Sequence, residues 1–216
     1  MRIIHNLLNK RFCDIVCFAR KDRFFYIYHL AKERIPIILR LHELKNILNC
    51  IDSTKYLKGN IAEVGVLHGG TANFIRESML FCDKLYLFDT FEGIEGCEFQ
   101  EQWSEANFNK VVSKFKDFDS VIINKGMFPK DFKKDYSRMK FKFVHLDVDL
   151  VRSTYDSLEF LYPRMVKGGI ILIHDYKIKN GNDTESKYAT DTFCDENKLN
   201  ILKMAGTHAA IIKMED

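Results

Sequence analysis

From residue 60 onward the chain alternates short apolar runs with amphipathic stretches, and four of the five apolar runs end at or beside a glycine, acid or histidine. The runs lie at about 60–66, 84–89, 120–124, 142–148 and 169–174. Helical patterns fill the gaps at about 70–82, 104–116, 129–138, 152–166 and 185–197. Strand then helix, repeated, predicts βαβ units and a parallel sheet. The runs are continuous rather than alternating, as expected when helices cover both sheet faces. The tail breaks the pattern. Residues 200–204 and 208–213 flank Ala205-Gly206-Thr207, which predicts an antiparallel hairpin. The expected fold is α/β: a doubly wound, mostly parallel seven-stranded sheet closed by an antiparallel C-terminal hairpin. In such a sheet the carboxyl ends of the strands converge on one crevice.

Residues 1–58 read as helical, with Ile35, Ile38, Leu39, His42, Ile47 and Leu48 in an approximate 3.6-residue stripe. Asp52-Ser53 and Lys58-Gly59-Asn60 punctuate its end. The chain therefore divides into an N-terminal helical extension, 1–58, and an α/β domain, 59–216. Residues 1–59 hold 12 Lys and Arg against 5 Asp and Glu, and residues 60–216 hold 21 against 25. Such a basic third is first a solvated helix face. It also fits peripheral contact with an anionic membrane surface or a polyanionic glycan. The apolar sides of the same helices fit a homodimer. No run of 18 apolar residues lacks charges, so no membrane span is expected. No apolar h-region with a cleavage site opens the chain, so no signal peptide is expected. The six cysteines (13, 17, 50, 82, 97 and 194) form no CxxC, and no second pair completes a zinc site with Cys13 and Cys17. Reduced thiols in a cytoplasmic protein are expected. No nucleic-acid partner is expected.

Two segments carry the chemistry. The first is Ile61-Ala62-Glu63-Val64-Gly65-Val66-Leu67-His68-Gly69-Gly70, followed by Asp89-Thr90-Phe91-Glu92-Gly93. Gly65, Gly69 and Gly70 allow a sharp strand-to-helix turn and close backbone approach to a ligand. The helix amides then face that ligand, and Thr71 is placed to help cap the helix. Asp89 ends the next strand, 24 residues after Gly65, where an acid can accept both ribose hydroxyls of a nucleoside. That geometry suits NAD as well as S-adenosylmethionine. Glu63 lies inside an otherwise apolar strand, where a charge without a partner is costly.

The second segment is His145-Leu146-Asp147-Val148-Asp149-Leu150, followed by Ile170-Ile171-Leu172-Ile173-His174-Asp175-Tyr176. Asp147 and Asp149 alternate on one strand, and His174 and Asp175 end the next. Asp147, His174 and Asp175 are candidates for one ligand cluster suited to Mg²⁺ or, with the imidazole, Mn²⁺. Asp149, just ahead of Val151-Arg152-Ser153-Thr154, is equally placed to cap the following helix. His145 reads as a core histidine, and His68 as a loop residue near the cofactor.

Together these segments resemble the macrocin O-methyltransferase family of class I, Rossmann-like methyltransferases. Gly126-Met127-Phe128 and Gly168 through Tyr176 add to the match, which spans 60 to about 213. The resemblance implies S-adenosylmethionine as cofactor, a sugar or glycosylated small molecule as acceptor, and metal-assisted O-methylation. It implies cofactor contacts at Glu63, Gly65, Gly69, Gly70, Thr71, Asp89, Thr90 and Gly126. It also implies a metal on Asp147, His174 and Asp175, with Asp147 as base. In the family the strand before Tyr176 usually ends in two aspartates, and here the first is His174. Val151 also replaces a tyrosine common after the Asp-x-Asp-Leu.

Residues 94–110, with Phe99, Trp103 and Phe108, suggest a lid or an ordinary amphipathic helix. Two rivals stand beside the methyltransferase. One is an NAD(P)-dependent oxidoreductase using the Tyr-x-x-x-Lys match at Tyr136 and Lys140. The other is a non-catalytic module that binds S-adenosylmethionine.

Overall fold

The structure is a computed structural model and describes residues 23–93, 108–134 and 136–215. The basic residues before Arg23, and Phe99 and Trp103 of the suggested lid, lie outside them, as do Cys13, Cys17 and Cys97. Helices α1 (Arg23–Arg34) and α2 (Leu41–Thr54) come first. Then follow β1 (Asn60–Val64), α3 (Gly70–Ser78), β2 (Leu85–Asp89), α4 (Phe108–Phe115), β3 (Val121–Lys125) and β4 (Phe141–Leu146). The second half holds α5 (Val151–Leu161), β5 (Met165–Ile173), β6 (Ile178–Lys179), β7 (Asn182–Asp183), α6 (Glu185–Asn197), β8 (Leu202–Lys203) and β9 (Ala209–Ile212).

Seven strands form one sheet in the order β3-β2-β1-β4-β5-β9-β8. β1 to β5 are parallel, and β9 runs antiparallel to both β5 and β8. The expected seven-stranded sheet and terminal hairpin are both present. Among the described residues no helix is long and apolar enough to cross a membrane.

Strand alternation divides the core in two. One face carries Ile61, Leu85, Leu87, Phe143, Ile170, Leu172 and Ala210, and packs on α1 to α4. The other carries Val64, Phe88, Val144, Leu146, Ile171 and Ile173, and packs on α5, α6 and the aromatic turns after β3. The described part of the N-terminal helical segment thus shares one apolar cluster with the sheet. Phe24, Ile27 and Ala31 of α1 and Leu44, Ile47 and Ile51 of α2 are all buried there.

Two local expectations fail, and one small element is new. The described residues of 129–138 are turns where a helix was expected. The Asp131 amide bonds the Met127 carbonyl, Phe132 bonds Pro129, Tyr136 bonds Phe132 and Met139 bonds Tyr136, a mixture of three- and four-residue turns among the described residues. Phe128, Phe132 and Tyr136 instead stack around the Phe88 ring at 4.8, 5.2 and 5.2 Å. Tertiary packing of aromatics outweighs local propensity here. The helix expected over 152–166 ends at Leu161, because Pro163 lacks the amide that would continue it, and a 3₁₀ turn hands over to β5. The small β6–β7 hairpin was not foreseen.

Two glycines are fixed by space. Gly65 has φ +86°, and a Cβ there would lie 1.7 Å from the Asp147 carbonyl oxygen. At Gly70 a Cβ would lie 2.2 Å from the Pro36 carbonyl oxygen, so the link between α1 and α2 seats directly on the start of α3. Replacing Gly65 by Ala must force β1 and β4 apart and adds a left-handed penalty of ~1–2 kcal/mol. Gly65→Ala is therefore expected to lower the melting temperature well beyond that penalty, read by thermal denaturation. A melt equal to wild type would contradict the packing.

Candidate active site

The carboxyl ends of the parallel strands share one rung of backbone hydrogen bonds just past the strands. The Gly126 amide bonds the Asp89 carbonyl, Gly65 bonds Phe88, Asp147 bonds Val64 and His174 bonds Leu146, all at 2.8–2.9 Å. The rung continues into the antiparallel tail, where the Tyr176 amide bonds the Thr207 carbonyl at 2.8 Å. Gly126, Asp89, Gly65, Asp147, His174 and His208 thus line one rim. The two segments singled out in the sequence meet there.

Asp89 holds the glycine loop. Its Oδ2 accepts the amides of Val66 (2.6 Å) and Leu67 (3.0 Å), and its Oδ1 accepts Phe91 (2.8 Å). A carboxylate has about four acceptor positions, so about one remains for a ligand hydroxyl rather than the two expected. Gly69, left-handed at φ 81°, is the N-cap of α3, and no side chain caps that helix, so Thr71 is not its cap. The first amides of α3 still open onto the rim. Thr90 folds its own turn, accepting the Glu92 amide at 3.4 Å. Gly126 abuts Asp131 and Phe132. His68 is a loop residue whose carbonyl accepts the Lys114 ammonium at 3.0 Å.

Glu63 lies beneath this surface, 1% exposed, with Oε1 3.1 Å from His145 Nδ1. Burial pushes its carboxyl up to about 7, against the pull of His145. Glu63 Oε2 and His145 Nε2 have no hydrogen-bond partner among the described residues. His145 is a core histidine, and Glu63 meets a ligand only where Oε2 does. The alternation that buries Ile61 and Phe143 on the α2 side of the sheet also sends Glu63, His145, His174 and His208 to that side. α2 meets them with its own polar edge, where Asn46 lies 3.3 Å from His208 Nδ1. Burial, with the His145 and His174 charges, pushes His208 down to about 2, so it is neutral.

His174 is the opposite case. Burial alone would lower its ring, but the hydrogen bond to Asp147 and the charges of Asp147, Asp175 and Glu43 push it up to about 9. Its Nδ1 lies 3.0 Å from Asp147 Oδ1 and 3.6 Å from Asp175 Oδ1. Burial would raise Asp147, yet its hydrogen bond to His174 and the charge of that ring hold it below the usual carboxylate range. Lys177 Nζ sits 2.7 Å from Asp175 Oδ1. Asp147, His174 and Asp175 therefore lie together, with the His174 ring against both acids. Among the described residues no group of three such side chains is arranged to hold a metal ion.

Asp149 does not cap α5. The N-cap is Leu150 without a side-chain bond, and Glu185 at the start of α6 takes the Val151 amide at 2.9 Å. Asp149 instead stands beside the rim at φ 60°, where burial and the charges of Asp147 and Asp175 push it up to about 6. Glu43, His208 and Lys177 were missed in the sequence, since none lies in a motif. The Tyr136–Lys140 pair falls away from this rim. Tyr136 bonds Asn124 within the aromatic cluster, and Lys140 precedes β4 at its opposite end.

A family model for macrocin O-methyltransferase (TylF) matches residues 38–205. A tetracenomycin-C rhamnosyl 4'-O-methyltransferase of Streptomyces olivaceus is 27% identical over 171 residues, 68% of this chain and 65% of that relative. A demethyldecarbamoylnovobiocin O-methyltransferase of Streptomyces niveus is 24% identical over 161 residues, 64% of this chain and 62% of that relative. The chain thus spans less than two thirds of the length of these relatives. Among solved structures, the O-methyltransferase NovP superposes with a TM-score of 0.69 at 20% identity, covering 83% of this chain and 82% of NovP. The calicheamicin methyltransferase CalS11 superposes at 0.57 with 14% identity, covering 79% of this chain and 78% of CalS11. The matched span holds β1 to β5 and the rim at their carboxyl ends, and the chain belongs to the macrocin O-methyltransferase family.

Proposed function

We propose that this chain is an S-adenosylmethionine-dependent O-methyltransferase acting on a hydroxyl of a sugar or glycosylated small molecule. The observation that carries the reading is the shared rung, which brings the glycine loop and Asp89 beside Asp147 and His174. Family membership supports it, as do two relatives named as O-methyltransferases, one of them of a rhamnosyl-bearing compound.

S-adenosylmethionine, when bound, supplies a methyl group on a sulfonium that needs no further activation. The loop from Gly65 to Gly70 and the first amides of α3 would lie along it, with the last acceptor position of Asp89 for a ribose hydroxyl and Glu63 Oε2 beneath. Thr71, Thr90 and Gly126 border the same rim. What the chain must activate is the acceptor. The acceptor oxygen attacks the methyl carbon, an O–C bond forms, and the C–S bond breaks with its electron pair staying on sulfur. The hydroxyl proton passes to a carboxylate at the rim. Asp147 is assigned that role, because His174 fixes its orientation. A carboxylate held low still accepts this proton, since the hydroxyl becomes strongly acidic as its oxygen gains the methyl group. Holding oxygen, carbon and sulfur in line supplies much of the remaining acceleration.

The direct test combines binding with turnover. S-adenosylhomocysteine is expected to raise the melting temperature, and methyl transfer to glycosylated acceptors is expected by mass spectrometry. Stabilisation by NAD(P) instead would favour an oxidoreductase, and binding without turnover on any hydroxylated acceptor a non-catalytic module. Asp147→Asn is expected to bind S-adenosylhomocysteine normally and to lose about 10²–10⁴-fold in kcat, the usual worth of a positioned base. An Asp147→Asn enzyme as fast as wild type would remove that assignment.

Asp149 gives a pH-dependent prediction. Its folded value, about 6, lies above its ordinary 3.8, so its charge costs folding free energy above about pH 6. As pH falls through 6 the folded protein takes up the proton, and the cost fades towards pH 4. Asparagine tolerates left-handed backbone. Asp149→Asn is therefore expected to stabilise the fold by roughly 1 kcal/mol at pH 7.5 after allowance for solvent screening, and by nothing near pH 4. Denaturant melts at the two pH values check this.

A further inference from the structure

The loop that follows β1 does not hold its shape by itself. Gly65, Leu67 and Gly69 all have positive φ, at 86°, 51° and 81°. That backbone is costly for leucine and persists only where surrounding contacts hold it. Asp89 holds the first half of the loop through the Val66 and Leu67 amides. The second half depends on the peptide between His68 and Gly69. Its N–H donates to the Val66 carbonyl at 2.9 Å, and its C=O accepts the Lys114 ammonium at 3.0 Å. With glycine on one side, such a peptide otherwise rotates at little steric cost. Bonded through both groups it stays in place, and Gly69 keeps the left-handed conformation that starts α3.

Lys114 comes from α4, which belongs to no strand-end motif. α4 lies directly on the loop: a Cβ on Gly69 would fall 2.9 Å from the Phe115 ring and 3.8 Å from Val111. The end of α4 is braced in turn. The Arg34 guanidinium of α1 donates to the Lys114 carbonyl at 3.3 Å. Phe118, just past α4, packs on the guanidinium groups of Arg34 at 4.1 Å and of Arg76 on α3 at 3.6 Å. A helix-surface lysine ordinarily leaves its ammonium in water. Lys114 is half-buried instead, and burial together with the Lys110 charge lowers its proton affinity below the ordinary lysine value.

We propose that Lys114 is a positioning residue for the methyl donor: its bond to the His68 carbonyl holds the glycine loop in the shape that presents the first amides of α3 to S-adenosylmethionine. The proposal rests on the methyltransferase reading above, and it gives α1, which braces α4 through Arg34, a part in donor binding. When the competent loop shape is only partly populated, apparent affinity falls by that fraction while the chemical step is untouched.

Lys114→Met tests it on the full chain, because it keeps an apolar stem and removes the ammonium. It is expected to weaken S-adenosylhomocysteine binding about tenfold by calorimetry, the usual size of one charged hydrogen bond. The KM for S-adenosylmethionine is expected to rise in step, with kcat within about twofold of wild type. Lys114→Arg keeps a charged donor and is expected to bind within about threefold of wild type. Lys116→Met removes an exposed charge from the next turn and is expected to change nothing. Equal losses in Lys116→Met and Lys114→Met would assign the effect to general charge and overturn the proposal. Unchanged affinity in Lys114→Met overturns it too, whatever happens to the melt. If Lys114→Met does not fold, Lys114→Gln is read by the same binding assay. Hydrogen exchange in the ligand-free protein needs no donor. The amides of residues 66–72 are expected to exchange about tenfold faster in Lys114→Met. Equal protection overturns the proposal. A wild type that binds no S-adenosylhomocysteine would sink the methyltransferase reading, and exchange would still decide whether Lys114 sets the loop.

Discussion

The close approach of β1 to β4 at Gly65 governs the geometry of everything at the rim. Any side chain at that position would occupy the Asp147 carbonyl. Because none does, the backbone ladder runs one residue beyond each strand, and the acid that follows β4 is fixed beside the loop that follows β1. Two chemically different segments, about eighty residues apart in the chain, thereby share one short edge. Asp89 reinforces the arrangement from the next strand, giving two acceptor positions to the loop backbone and a third to the Phe91 amide of its own turn. Its first task is to build the crevice, and any ligand hydroxyl takes what remains.

The second organising fact is that one sheet face changes character along its length. Near the amino ends of the strands it is aliphatic and aromatic, and near the carboxyl ends it carries Glu63, His145, His174 and His208. The helix laid over it changes in step, from Leu44, Ile47 and Ile51 to Glu43 and Asn46. Polar groups buried in this way need partners drawn from other elements. Within that layer two neighbouring imidazoles part ways. The His208 and His174 rings lie 5.2 Å apart, yet the first is neutral and the second charged, because only the second has carboxylates on both sides.

Much of the fold was legible from hydropathy alone. The five parallel strands and the tail hairpin are set by long apolar runs and a glycine turn. The failures share a cause. Phe128, Phe132 and Tyr136 have helical spacing, but they follow the Phe88 ring, which a local pattern cannot reveal. In the site, Asp147, His174, Asp175, Gly65 and Asp89 could be found because they stand at strand ends. Glu43 could not, since it is separated from His174 by 131 residues and reads as an unremarkable capping acid. The charge state of His174 was equally hidden. The sequence showed only that an imidazole had replaced a carboxylate, whereas its environment is set by Asp147, Asp175 and Glu43 together.

The seat of Pro36 on Gly70 ties the amino-terminal helices to the ligand-facing loop by backbone contact. The start of α3 cannot shift without displacing the link that joins α1 to α2, and that link carries α2 with Glu43. A ligand that immobilises the α3 amides would steady both helices by mass action, with no contact of its own to either.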